Sequence, residues 1–220
     1  LHLRCRPAAL LHEDTMTHGT VYLVDDNDAF RDSTRWLLEG EGFAVDAFPS
    51  AAAFLARYRP GSADTGPQLL VLDVRMPEMS GVQLQDELIK RGLSLPIVFI
   101  TAHGDVPLAV QAMRKGALNF IEKPFADEVL IDAVRNGLQR AAQDQKRDAA
   151  GAEAQARVNS LTPRERQVLD LVIEGRLNKT IADTLGISIK TVELHRAHMM
   201  EKMGAQSLAH LVQIAVAARG

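Results

Sequence analysis

The sequence predicts an α/β fold, a doubly wound five-stranded parallel sheet, followed by an all-α four-helix domain built around a helix-turn-helix. Three observations carry this expectation. Between residues 21 and 140, short apolar runs alternate five times with helical stretches, the pattern of a parallel sheet covered on both faces. Right-handed crossovers then leave a three-layer sandwich. From Ser160 the strand signals stop and four short helical stretches follow, with only Gly186, Ile187 and Ser188 between the second and third.

The elements follow in order. Residues 21–24 form an apolar run ending in Asp25-Asp26. Residues 28–39 read as a helix with Phe30, Thr34, Leu37 and Leu38 on one side, stopped by Gly40 and Gly42. Residues 43–48 read as a strand, and Ser50 as the N-cap of a helix over 51–58. A Gly/Pro/Ser loop spans 60–67. The strand at 69–72 ends in Asp73, and the helix at 81–91 has Leu84 and Leu88 four apart. The strand at 96–100 ends in Thr101. Residues 105–115 carry Val106, Ala109, Val110 and Met113, an amphipathic stripe. The strand at 118–121 ends near Lys123-Pro124, and Asp127 caps a helix with Leu130, Val134 and Leu138 at fourfold spacing.

Residues 141–159 are rich in Ala and Gln and lack a core stripe, so they read as a partly helical linker with a break at Gly151. In residues 160–220, Thr162-Pro163-Arg164-Glu165 is a capping box with Pro at the first helical position. Its helix turns Val168, Leu169 and Val172 inward and ends at Gly175. Asn178 caps the next, which holds Ile181, Ala182 and Leu185 and stops at Gly186. Ser188 starts a third that stops at Gly204, and Ser207 a fourth with Leu208, Leu211, Val212 and Ala215 on one face. The expected organisation is an extension at 1–18, a sheet domain at 19–140, a linker at 141–159 and a helical domain at 160–220.

Composition excludes several classes. At 220 residues, the chain suits one or two domains of roughly 150 residues. With 46% hydrophobic and 24% charged residues, it is neither disordered throughout nor fibrous. One cysteine, Cys5, rules out an internal disulfide framework and a cysteine zinc site, and suits a reducing, cytoplasmic setting. No run approaches the roughly 18 apolar residues of a membrane helix. Residues 1–15 lack a signal peptide's apolar core and read as an upstream or cloning-derived, disordered extension, with the natural start near Met16. The net charge of −3 hides a split. Residues 1–140 hold 14 Lys and Arg against 19 Asp and Glu, and residues 141–220 hold 11 against 9.

Ligands of open parallel sheets bind at the C-terminal ends of the strands. Here those ends carry Asp25, Asp26, Asp73, Thr101 and Lys123. Clustered carboxylates demand a cation, and all-oxygen ligands favour Mg²⁺. A lysine and a hydroxyl at the same rim suit phosphoryl oxygens. Any one of these acids alone reads as a solvated loop residue; the set of them does not.

The stretches VYLVDDND (21–28), LLVLDVRMPEMSG (69–81), IVFITAHGD (97–105) and LNFIEKPF (118–125) resemble the response-regulator receiver domain, a flavodoxin-like fold. The resemblance implies that Asp73 is the phosphoacceptor. It implies Mg²⁺ on Asp26, Asp73 and the backbone carbonyl of Arg75, with Asp25 in the outer shell. Thr101 would receive a phosphoryl oxygen, Lys123 would pair with it, and Phe120 would be the switch aromatic, although a strand aromatic also reads as plain core. TAHGDVPLAV (101–110) and FIEKPF (120–125) look like the FixJ branch, which implies dimerisation on phosphorylation near Val106, Val110, Arg114, Phe120 and Glu122. Arg75 and His103, two positions beyond Asp73 and Thr101, are placed to gate water.

The helix after Ser188 can be phased at about 100° per residue. Val192, Met199 and Met203 then face the core, while Lys190, Glu193, Leu194, Ala197 and Glu201 face outward. Such a face reads base edges: Glu193 can accept from cytosine, and Leu194 or Ala197 can meet a thymine methyl. Asn178, Lys179, Thr191, Arg196 and His198 are candidate phosphate contacts. Arg196 lies close to the apolar side and can instead snorkel within the domain. Residues 161–207 resemble the LuxR/FixJ-type helix-turn-helix, which implies promoter binding. The whole then reads as a two-component response regulator that takes its phosphoryl group from a sensor histidine kinase. It would control transcription through RNA polymerase and catalyse only its own phosphorylation and dephosphorylation. The alternative is a Mg²⁺-dependent phosphatase with an aspartyl nucleophile. That class wants a second acid two residues on, where Arg75 stands.

Overall fold

The computed structural model describes residues 19–59, 66–102, 104 and 106–218. The expectations for residues 1–18, for 60–65 of the loop, and for His103 and Asp105 lie outside the described residues. Among the described residues the elements are, in order, β1 (Thr20–Val24), α1 (Asp28–Gly40), β2 (Ala44–Phe48), α2 (Ala51–Arg57), β3 (Gln68–Asp73), α3 (Gly81–Lys90), β4 (Ile97–Thr101), α4 (Val106–Arg114) and β5 (Asn119–Glu122). Then come α5 (Asp127–Asn159), α6 (Pro163–Ile173), α7 (Asn178–Leu185), α8 (Ile189–Met203) and α9 (Leu208–Ala217). The chain divides into two compact units between Gln143 and Asp144.

In the first unit, all strand pairs are parallel and the order is β2-β1-β3-β4-β5. Central β3 and β4 are buried along their whole length, as their unbroken apolar runs require. Side chains alternate between two cores. Tyr22, Val24, Leu70, Leu72 and Phe99 meet α2 and α3 on one face, where Phe54, Leu84 and Leu88 are fully enclosed. Val21, Leu23, Leu69, Val71 and Ile100 meet Leu38, Leu130, Val134 and Leu138 on the other. Each enclosed leucine contributes about 1.5–3 kcal/mol relative to exposure.

The apolar stripe of α4 lies open. Val106 is 70% exposed, Val110 and Met113 are also open, and only Ala112 is buried. The helix neighbours short β5, of which only Ile121 is buried, and packs inward through Ala112 and part of Leu108, so the stripe faces outward.

The second unit is a helical bundle around Leu161, Val168, Leu169, Val172, Ile181, Val192, Met199, Met203 and Leu211. Residues 141–159, expected as a partly helical linker, are helical to Asn159 without a break at Gly151, and Ala154 enters this core. Ala, Gln, Glu and Arg are strong helix formers, and one glycine costs only about 1 kcal/mol. Two smaller expectations also change. Asn178 is the first residue of α7, not its cap; the cap position is Leu177, which offers no side-chain acceptor. On α9, Leu208 is exposed and Ile214 is buried instead. Thr162, Ser188 and Ser207 do cap α6, α8 and α9, and Thr162 and Glu165 form the reciprocal capping box.

Candidate functional site

Parallel register brings the strand ends of β1, β3, β4 and β5 to one rim. Asp25 N donates to Phe48 O, Val74 N to Ile100 O, and Lys123 N to Thr101 O, so the residue after each strand stays pinned to its neighbour. Gly81 permits the return of the chain behind β3, because a Cβ there would lie 2.3 Å from the Asp73 carbonyl oxygen.

At this rim Lys123 Nζ donates to Asp25 Oδ2 at 2.7 Å and to Asp73 Oδ1 at 3.0 Å. The second oxygen of each acid is held by backbone. Asn27 N donates to Asp25 Oδ1 at 2.8 Å, and Arg75 N to Asp73 Oδ2 at 2.7 Å. Asp25, Asp73 and Thr101 are buried. Burial pushes the Asp73 carboxyl above its ordinary value, and the Asp25 charge adds to this; the Lys123 ammonium and the Arg75 N–H oppose it.

Asp26 is exposed and stands apart from this pair. Among the described residues, no three of His, Cys, Asp and Glu are gathered as for a metal. Asp25 is held inward by Lys123 and the Asn27 amide, whereas Asp26 is open to solvent. The donor chemistry nevertheless fits a hard cation. Two buried carboxylates share one ammonium, which leaves a negative charge, and an exposed third carboxylate is adjacent in sequence.

Two features of this site were absent from the sequence reading. Arg31 Nη1 donates to the Asp25 carbonyl oxygen at 2.8 Å and pairs with Asp28. The Lys123 ammonium lies 3.6 Å from the ring centre of Phe30, which meets Phe125 edge-on. An apolar run capped by two acids carries no signal for either contact, since both depend on how α1 crosses the rim. Phe120 is half-buried, with its ring centre 6.1 Å from that of Phe99. Glu122 and Arg114 are exposed, as is Arg75.

On α8, Val192, Met199 and Met203 are fully buried, as phased. Lys190, Glu193, Leu194, Ala197, His198 and Glu201 are exposed, and Lys179 is exposed on α7. Thr191 is half-buried and its hydroxyl meets that of Ser188 at 2.8 Å. Asn178 and Arg196 are joined, with Arg196 Nη1 donating to Asn178 Oδ1 at 3.0 Å, so this arginine ties α8 to α7.

An acidic strand-end pocket on a five-stranded parallel sheet, joined to a helix-turn-helix unit, defines the class of two-component response regulators. Residues 21–135 match the family described as the response regulator receiver domain, and residues 159–215 match the bacterial regulatory proteins of the luxR family. The transcriptional regulatory protein FixJ of Azorhizobium caulinodans is 48% identical over 198 residues, covering 90% of this chain and 92% of that protein. FixJ of Rhizobium meliloti is 48% identical over 92% of this chain and 97% of its own length. A solved structure of the response regulator StyR superposes with a TM-score of 0.80 at 44% identity, over 90% of this chain and 98% of that one. The chain belongs to the response regulators of the FixJ branch, with a receiver domain and a LuxR-type DNA-binding domain. These are transcription regulators, and nothing among these relatives supports the phosphatase alternative. No helix among the described residues is long and apolar enough to cross a membrane.

Proposed function

We propose that Asp73 accepts a phosphoryl group from a sensor histidine kinase in the cytoplasm. Its carboxylate oxygen forms a bond to phosphorus as the bond between phosphorus and the kinase histidine breaks. The observation that carries this reading is the burial of Asp73 under a shared ammonium at the end of β3. Mg²⁺ on Asp26, Asp73 and the Arg75 carbonyl, with Asp25 beyond it, would neutralise the phosphoryl oxygens. Lys123 passes from the two carboxylates to the phosphoryl group, and Thr101, at the end of β4, takes another of its oxygens. The acyl phosphate adds about −1.5 to −2 charge at this rim. Phe120 and α4 then resettle, and the open face of Val106, Val110, Arg114 and Glu122 pairs with a second copy.

Paired DNA-binding units then engage two half-sites of a promoter and act on RNA polymerase. Lys190, Glu193, Leu194 and Ala197 meet base edges, while Lys179, Thr191 and His198 approach phosphates. Asn178 and Arg196 hold α7 and α8 in register for that contact.

The test is phosphorylation with a small phosphodonor and Mg²⁺, comparing the wild type with Asp73→Ala. Mass, oligomer size and DNA affinity should all change in the wild type alone. Equal DNA binding by both proteins, before and after treatment, refutes control through Asp73.

A further inference from the structure

Away from the acidic rim and the outward face of α8, a polar contact joins the last turn of α5 to the end of α8. Arg157, in the last turn of α5, donates from Nη1 to the carbonyl oxygen of Met203 at 2.9 Å. Met203 is the final residue of α8. The same guanidinium donates from Nη2 to Glu153 Oε1, one turn earlier, at 2.7 Å. On either side of Arg157, Ala154 is buried and Val158 packs against the same core, which also holds Met199 and Met203. The backbone that carries the arginine is therefore fixed by burial, and its head by Glu153.

A helix leaves its last carbonyls without intrahelical donors. In α8 the amides of Gly204 and Ala205 turn back to the carbonyls of Glu201 and Met200. The Met203 carbonyl is met by Arg157 instead, and the positive charge lies at the negative end of the helix dipole. Gly204 has φ +62°, and a Cβ there would stand 3.0 Å from Arg157 Nη1. Glycine thus serves twice, for the left-handed turn and for the space the guanidinium fills. Ser188 holds the other end of α8, Asn178 its middle through Arg196, and Glu165 its last turn through Lys202.

We propose that Arg157 is a positioning residue for DNA recognition, fixing the C-terminal end of α8 so that its outward face meets base edges at the required depth. The inference rests on the proposed role of α8 as the reading helix. Base readout demands placement to about 0.5 Å, whereas attraction to phosphates tolerates displacement. Loss of Arg157 therefore costs sequence preference and spares general affinity.

The experiment uses the full phosphorylated chain and two duplexes of equal length. One is selected by the wild-type protein from a randomised pool, and the other has its sequence scrambled. Arg157→Gln should weaken the selected duplex on the order of tenfold, the scale of one mismatched base pair. It should leave the scrambled duplex and the salt dependence unchanged, and Arg157→Lys should restore most of the loss. Equal losses on both duplexes with a shallower salt dependence would make Arg157 a phosphate contact and overturn the proposal. Wild-type affinity for the selected duplex would overturn it too. Glu193→Ala separates the layers. If it keeps full selectivity, the reading of α8 falls and takes this inference with it. If it loses selectivity while Arg157→Gln does not, only this inference falls. Should Arg157→Gln fail to fold, Arg157→Met, which keeps an unbranched apolar chain of similar length but has no donor for the Met203 carbonyl, carries the same test.

Discussion

Glu165 shows how much one side chain can organise. It is buried, and its carboxylate accepts from Thr162 N at 2.8 Å and from Lys202 Nζ at 2.8 and 3.1 Å. The Lys202 ammonium, then the Thr162 amide, hold its pKa down from 4.5 to about 2. A carboxylate whose folded value is depressed stabilises the fold above its unfolded value and loses that contribution as pH falls through the folded one. Glu165→Gln keeps a capping side chain but surrenders the charge. It should cost about 1–2 kcal/mol at neutral pH, at the modest end for a charged hydrogen bond because Lys202 remains open to water. Urea unfolding of both proteins checks this. The gap should be widest above pH 4.5 and close towards pH 2; a gap independent of pH would mean that packing, not charge, is what was lost. At this scale the sequence was most legible where a residue's role is local. The capping box and the acids and lysine at strand ends follow from spacing alone. Arg31 and Phe30 do not, because their contacts with Asp25 and Lys123 depend on the crossing of α1 over the rim.

At the scale of elements, unbroken apolar runs located β1, β3 and β4, and alternation with helices located β2 and β5. On α4 the spacing marks an amphipathic stripe at Val106, Ala109, Val110 and Met113, while the helix turns Ala112 and part of Leu108 to the core and leaves Val106, Val110 and Met113 open. The segment at 141–159 reads as a linker because it lacks large apolar residues, yet the second unit uses small Ala154, part of Val158 and the guanidinium of Arg157. Gly151 sits inside this continuous helix, and a Cβ there would meet only the Ala217 carbonyl oxygen, at 3.4 Å. Glycine in a helix interior is about 0.5–1 kcal/mol worse than alanine. Gly151→Ala should therefore stabilise the unit formed by residues 144–220 by about that amount, read as a higher transition temperature in calorimetry. A lower temperature would mean that the helix bends at this point in solution.

For the whole molecule, charge and exposed apolar surface pose the same question of affinity. Residues 141–220 hold 11 basic residues against 9 acidic ones, and the outward face of α8 sets Glu193 and Glu201 beside Lys190. So small an excess makes few phosphate contacts, and phosphate contacts supply most non-specific affinity. One copy should bind weakly, and two linked copies gain the effective concentration of the second site. The first unit offers the means, since Val106, Val110 and Met113 form an open apolar stripe on α4. Val110→Glu places a charge in the middle of that stripe and replaces none of Asp25, Asp26, Asp73, Thr101 and Lys123, the residues that would handle the phosphoryl group. Phosphorylation of Asp73 should proceed as in the wild type, while sedimentation shows a monomer. Affinity for a duplex with two half-sites should then fall by at least about tenfold, within the range that linkage supplies, and affinity for a single half-site should not move. A Val110→Glu chain that still pairs on phosphorylation would place the pairing surface away from α4. Equal losses on both duplexes would instead tie α4 to DNA binding by a single copy.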